Sequence, residues 1–216
     1  MTNSFPKIRL HGFVPYDRSG KARWLLCEMG IAYEDRWLNR ETAEIESPEY
    51  LKLNPMGRVP LMEFEGKPMI ESGALCAFLA DRFPEKRFAP QLDSPLRAEY
   101  QQWMYFAAST LDPFQTRIMI IEDIPAGELY SQKFSQLIEE VGDAMETLNI
   151  ALARSEFMCG QTFTAADICV SYHLFWLKLW PEFLSVMDKY PRVLSYLDRM
   201  TARPAASKSE VFSYEV

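Results

Sequence analysis

Residues 54–83, NPMGRVPLMEFEGKPMIESGALCAFLADRF, constrain the fold of this 216-residue chain more than any other stretch. They read as a turn, a Val-Pro pair, a strand, a hairpin across Glu65-Gly66-Lys67, a second strand, and a helix opening at Glu71-Ser72. A peptide bond preceding proline is where the cis form is cheap. A cis Val59-Pro60 bond would turn the Val59 backbone outward, so that its N–H and C=O pair with an extended peptide as an added strand does. Ser72 falls at a helix start, where free N–H groups and the helix dipole favour a carboxylate. Glu71 beside it supplies the charge that suits an ammonium group, and Arg58 offers a planar fork for a second carboxylate. The same letters also describe a plain turn and half-buried hairpin with Ser72 capping a helix.

The flanking pattern completes a small α/β unit. Residues 7–13, KIRLHGF, alternate as a short strand. From Gly20 the period changes: Ala22, Leu25, Leu26 and Met29 trace one helical face, and Gly30 follows where a left-handed residue ends a helix. A second strand over 32–38 makes strand–helix–strand, which demands a parallel pair and a right-handed crossover. Residues 41–53 are polar and irregular, with a short helix expected. The strands 59–64 and 68–70 form an antiparallel hairpin, with the helix Ser72–Arg82 behind it. The sum is βαβ followed by ββα, a thioredoxin-like layout over 1–83.

Residues 84–93 carry prolines and charges without periodicity and read as a linker. From 94 to 216 no strand alternation occurs, and an all-helical domain is expected, with long segments near 96–122, 128–154, 164–179 and 191–203. Pro125, Gly127, Gly160, Pro181 and Pro191 divide them, and Pro113 should kink or break the first. Thr164-Ala165-Ala166-Asp167 is a capping box with Asp in place of the usual Glu, flanked by Phe163 and Ile168 as a hydrophobic staple.

Charge narrows the partners. The chain carries a net −7, with 11 basic and 12 acidic residues through Phe83 and 12 and 18 beyond it. An acidic protein of this kind does not suit nucleic acid or an anionic membrane surface. Lys7, Arg9, His11, Asp17 and Arg18 interrupt any signal-peptide core, and no apolar run approaches membrane-spanning length. Cys27, Cys76, Cys159 and Cys169 lack metal-type spacing, so free thiols, no metal and a cytoplasmic location are expected.

The joint pattern Asn-Pro-x-Gly-x-Val-Pro, then Glu-Ser before a helix, resembles the glutathione-binding half of the cytosolic glutathione transferase superfamily. The capping box, about 80 residues further on, matches the helical domain of the same family, where it serves folding. The resemblance therefore covers essentially the whole chain. It implies glutathione as co-substrate, held by the Val59 backbone with Pro60, Glu71, Ser72, Arg58 and Arg18. It implies a homodimer and a small hydrophobic electrophile as the second substrate.

Such enzymes lower the pKa of the glutathione thiol, since the thiolate is the nucleophile. Some classes use a Tyr on the first strand, others a Ser or Cys in the loop after it. Counted back from Gly30, the strand Tyr falls on Gly12 and the loop Ser or Cys on Tyr16, so this chain departs from both patterns. Tyr16 is the first candidate for the thiol-activating hydroxyl; Ser19 is the second, at a position where capping a helix is the commoner use of Ser. The loop has no cysteine, which argues against thiol–disulfide exchange by a protein thiol. His11 and His173 read as structural. Phe13, Val14, Trp103, Phe106 and Thr110 are candidates for the electrophile wall, with Phe212 and Tyr214 closing over it. The rival readings are a non-catalytic glutathione-binding protein, favoured by Gly12, and an isomerase or dehalogenase on the same scaffold.

Overall fold

The computed structural model describes residues 6–214, which divide into two compact units: residues 6–86 with 203–214, and Arg87–Ala202. The first unit is built on a four-stranded sheet of order β2-β1-β3-β4, with β1 at Ile8–Gly12, β2 at Glu34–Trp37, β3 at Leu61–Phe64 and β4 at Lys67–Ile70. β1 and β2 run parallel, as strand–helix–strand requires, and the other two pairs are antiparallel. Pro68, which has no N–H to give a ladder, sits on the edge strand β4.

Strand alternation gives each face of the sheet its own cover. Leu10 pairs directly with Met62 and Ile8 with Phe64, on the face over which α3 (Ser72–Arg82) lays Phe78 edge-on to Phe64 at 5.0 Å. Leu61 points the other way and packs with Leu38 and Tyr50, the latter on α2 (Pro48–Leu53). Residues 41–53 are thus a short 3-10 turn at Glu44–Glu46 followed by that one helix. α1 (Gly20–Met29) ends at Gly30 with φ +64°, the left-handed stop foreseen from sequence.

Residues 203–214 fall with this first unit through α10 (Pro204–Ser209), which packs along α1. Arg203 forks onto Glu28 of α1 (Nε–Oε1 2.6 Å, Nη2–Oε2 2.9 Å). Val211 is fully buried, and a Cβ on Gly20 would lie 2.7 Å from its side chain and 2.4 Å from the Pro15 carbonyl, so only glycine admits this approach.

The second unit is helical. α4 (Arg97–Phe106) passes through a π-helical turn, Ala107–Leu111, into α5 (Asp112–Glu122). Pro113 therefore does not break the run. The π turn, closed by the Asp112 N–H on the Ala107 carbonyl, precedes it, and Pro113 occupies the first turn of α5, where its missing N–H costs little. α6 (Glu128–Leu152), α7 (Ala165–Lys178), α8 (Pro181–Met187) and α9 (Pro191–Thr201) complete it. α7 is buried from Ala165 through Leu174, hydrophobic nearly all round, and α4, α5, α8 and α9 pack against it.

At the start of α7 the capping box is formed. Asp167 Oδ2 accepts from the Thr164 N–H (2.8 Å) and hydroxyl (3.1 Å), while Oδ1 accepts from the Met158 N–H (2.8 Å) and the Tyr196 hydroxyl (2.9 Å). These four donors favour the ionised carboxyl, yet complete burial still pushes it up to about 6. The folded protein thus holds a proton that the unfolded chain releases near its ordinary value of 3.8. This group's contribution to stability is full below about pH 4 and is lost as pH rises to about 6. Asp167→Asn should remove that slope: measured by urea unfolding, wild type should lose about 2–3 kcal/mol relative to the variant between pH 4 and pH 7. Parallel pH profiles for the two proteins would contradict the assignment.

Candidate active site

The registers bring the separated motifs to one end of the sheet. β3 and β4 pair Leu61 with Ile70, so Val59 and Pro60 precede one strand at the same end where Glu71 and Ser72 follow the other. β1 pairs His11 with Leu61, so Phe13 leaves the sheet beside Val59. The amino ends of α1 and α3 lie at the same end, one across the loop from β1 and one directly after β4.

The turn before β3 is organised by Asn54, which is buried. Its Oδ1 accepts from the Met56 N–H (3.0 Å), and Gly57 N–H returns to its carbonyl (3.0 Å). Its Nδ2 donates to the Arg58 carbonyl at 2.7 Å, and the Tyr50 hydroxyl donates to the same oxygen at 2.7 Å. Burial raises the Tyr50 phenol to about 12, so it stays a donor at any ordinary pH. Held this way, Arg58 presents an exposed guanidinium, and Val59-Pro60 follows as a cis peptide bond. The ladder pairs begin at Leu61, which leaves Val59 outside them.

Glu71 opens α3 with φ +71° and ψ 104°, a region that costs a non-glycine residue about 1–3 kcal/mol. Its carbonyl accepts the first helical bond, from Leu75, so the N–H groups of Ser72, Gly73 and Ala74 precede the intrahelical ladder. No side chain caps them and no acidic residue stands in the first turn. Glu71 itself is exposed and Ser72 is buried. The arrangement is an anion-accepting helix end with a carboxylate beside it.

The loop after β1 is fastened by a residue that sequence reasoning passed over. Asp17 accepts from the N–H groups of Phe13 (2.7 Å) and Val14 (3.3 Å) through Oδ2, and of Ser19 (2.7 Å) through Oδ1. The signal was legible as Asp two residues before a helix-capping Ser, an Asx turn. Ser19 makes no side-chain cap; fully buried, its Oγ accepts from Arg23 Nη2 at 3.2 Å. Arg23, itself buried, also reaches the Pro15 carbonyl (3.0 Å) and Asp35 of β2 (2.8 and 3.0 Å). Tyr16 and Arg18 are half-exposed, and the Tyr16 ring meets Tyr214 edge-on at 5.3 Å. Phe13 packs on the Leu38–Tyr50–Leu61 cluster beneath Arg40, while Val14 is half-exposed.

Among the other candidates, Phe212 is edge-on to Trp24 of α1 at 5.2 Å. Within the helical unit Phe106 and Thr110 line a cleft of about 350 Å³, with Pro113, Phe114, Glu140 and Asp143 among its walls. Trp103 is not among the residues lining this cleft; it is buried, edge-on to Phe106 at 5.4 Å. His11 bonds Glu63 at 2.9 Å under Tyr50, and burial holds its ring toward the neutral form against that carboxylate. None of the four cysteines is in a disulfide. Among the described residues no group of three or more His, Cys, Asp or Glu side chains is placed to hold a metal, and no helix is long and apolar enough to cross a membrane.

Gly12 explains its own side-chain absence. A Cβ there would stand 2.4 Å from Ser19 Oγ and 3.3 Å from Asp17 Oδ2, so the strand end yields its space to the loop. Gly12→Ala should destabilise the protein by about 1–3 kcal/mol in urea unfolding, because the loop must move off the strand. An unchanged midpoint would show that the loop yields freely.

Both halves of the chain match domains of known proteins. Residues 6–81 match the glutathione S-transferase N-terminal domain and residues 126–199 its C-terminal domain. Glutathione S-transferase GstB of Escherichia coli K12 is 28% identical over 188 residues, covering 84% of this chain and 86% of that protein. Elongation factor 1-gamma of Prunus avium is 30% identical over 170 residues, or 76% of this chain but 38% of the factor's length. The crystal structure of glutathione transferase URE2P6 from Phanerochaete chrysosporium, solved with oxidized glutathione, superposes with a TM-score of 0.83 at 22% identity, over 97% of this chain and 96% of that one; at this identity the likeness is one of fold. With both domain models matched and the motif residues gathered at one sheet end, the chain belongs to the glutathione S-transferase superfamily of enzymes.

Proposed function

We propose that the protein binds glutathione at this sheet end, activates its thiol and conjugates it to a small hydrophobic electrophile. The observation that carries the reading is the helix end at Glu71-Ser72, which directly follows β4, the strand paired with the one that the cis Val59-Pro60 bond enters. The Val59 N–H and C=O bond the tripeptide backbone as an added strand would. One glutathione carboxylate lies at the Ser72 hydroxyl and the first N–H groups of α3, and the ammonium group lies at Glu71. Arg58 and Arg18 supply cations for the remaining carboxylate.

The sulfur is then directed to the loop after β1, where Tyr16 donates its hydroxyl to the thiolate. The thiol proton goes to solvent. The thiolate forms a bond to carbon of the electrophile, whose leaving group departs with the bonding pair. Tyr16 is preferred over Ser19 because Ser19 is buried and already bonded to Arg23, whereas Tyr16 is half-exposed. Phe13 and Val14 of the loop remain candidates for the electrophile wall, as do Trp103, Phe106 and Thr110 within the helical unit, where Phe106 and Thr110 share a cleft. The reading extends to a homodimer acting in cytoplasmic detoxification, and sedimentation at several concentrations measures the oligomeric state. A non-catalytic glutathione-binding role is the second reading, favoured by the departure at Gly12 and by the likeness to an elongation factor.

Two variants test the assignment. Ser72→Ala should lose most of its retention on immobilised glutathione, and full retention would remove α3 from the site. Tyr16→Phe should slow conjugation of a generic aryl halide at least tenfold, about 1.4 kcal/mol of barrier. A wild-type rate in that variant would move the role to another donor, and an inactive wild type that still binds glutathione would favour the second reading.

A further inference from the structure

Between the π turn and α6 the helical unit leaves a space that its own packing does not fill. α4 packs against α7, whereas α5 packs against both α7 and α6. Where the run comes over to α6, a cleft of about 350 Å³ opens, lined wholly by residues of this unit. A π turn spends an extra residue on one helical turn, and such turns recur at functional sites. A volume of this order holds a small organic molecule.

The polar groups of the wall are nearly all acceptors. Arg117, the one cation among the lining residues, is forked onto Glu140, whose Oε1 also accepts from Gln136 at 3.1 Å. The Ser109 hydroxyl donates to the Tyr105 carbonyl at 2.8 Å, and the Thr147 hydroxyl to the Asp143 carbonyl at 2.9 Å. Both hydroxyl hydrogens are thus spent on main chain, and the oxygen lone pairs remain. Pro113 has no N–H to give the Ser109 carbonyl, four residues back. The Asp143 carboxylate is exposed and, among the described residues, has no ion pair and no side-chain hydrogen bond. Phe106 and Phe114 add aromatic faces, which attract a cation as well as an apolar body.

Such a wall is complementary to a ligand rich in donors and positively charged. An anion would reach Arg117 only by breaking its fork and leaving Glu140 unpaired. We propose that this cleft is a binding site for a small organic amine, with the ammonium group at Asp143 and the Ser109 carbonyl and the apolar body against Phe106, Pro113 and Phe114.

Equilibrium dialysis of the whole chain, without glutathione, against naphthylmethylamine and its neutral isostere naphthylmethanol tests the site. At neutral pH the amine is charged. It should bind about three- to tenfold more tightly than the alcohol, a preference that shrinks with added salt. Asp143→Asn, at an exposed position, should bring the amine down to the alcohol and leave the alcohol unchanged. Glu139→Gln removes an equal charge from an exposed position on α6 outside the cleft and should leave the preference intact. Phe106→Ala should weaken both probes.

Equal affinities in the wild type, or no binding of either probe, would overturn the proposal. So would a preference that survives Asp143→Asn, or an alcohol affinity unmoved by Phe106→Ala, since either places the probes elsewhere. An equal loss of preference in Glu139→Gln and Asp143→Asn overturns it too, because the preference then belongs to the general field of an acidic protein. Neither glutathione nor turnover enters the measurement, so its outcome is independent of the conjugation reading.

Discussion

Two hydrogen bonds into one carbonyl set the geometry on which the binding end of this protein depends. Asn54 and Tyr50 both donate to the Arg58 oxygen at 2.7 Å, and the chain therefore enters β3 from a fixed point. Each bond contributes only about 1 kcal/mol net, but loss of either donor from so enclosed a site costs more than its mean worth. From that point the antiparallel pairing of β3 with β4 does the rest, bringing the chain before Leu61 and the chain after Ile70 to the same end of the sheet. Glu71 absorbs the consequence in a backbone conformation that its residue type disfavours. The strain is local, and it falls at the helix start whose first N–H groups are proposed to meet the ligand.

Most of the fold was legible because two periods alternate cleanly in the first 83 residues. The parallel β1–β2 pair, the hairpin, the Gly30 stop and the span Ser72–Arg82 follow from those periods and from single punctuating residues. One proline misled the reading of the second half. Pro181 was legible only as a divider, yet it starts α8, whereas Pro191 opens α9 where the expected segment 191–203 opens. Proline is as well suited to the first turn of a helix as to the gap before one, and the letter alone does not distinguish them. The π turn ahead of Pro113 is invisible for a related reason: periodicity marks a helical face, not the number of residues spent closing one turn.

The site was legible in its motif and not in its supports. Asn54 stood in the motif, but its two roles, closing the turn and holding the Arg58 carbonyl, need a fold to be seen. Arg23 looked like one more charge on an amphipathic helix, and it is buried, bonded to Pro15, Ser19 and Asp35 at once. Ser19 shows the limit of local rules most plainly. It occupies the capping position, but Asp17 has taken over the cap, and the hydroxyl turns inward to Arg23. The groups proposed to grip a peptide and the group proposed to act on its sulfur lie on separate chain segments, each with its own fastening.

The pairing of Glu28 with Arg203 closes a sequence separation of 175 residues. A nascent chain presents its amino-terminal portion first, and domains ordinarily fold in the order they emerge. Here the sheet and its helices can gather early, but the pocket beside Gly20 stays unfilled and Trp24 stays uncovered on one side until Val211 and Phe212 exist. The whole helical unit is synthesised in that interval. The first unit to begin folding is therefore the last to be completed, and the loop bearing Tyr16 reaches its final packing only as the closing residues of 203–214 leave the ribosome.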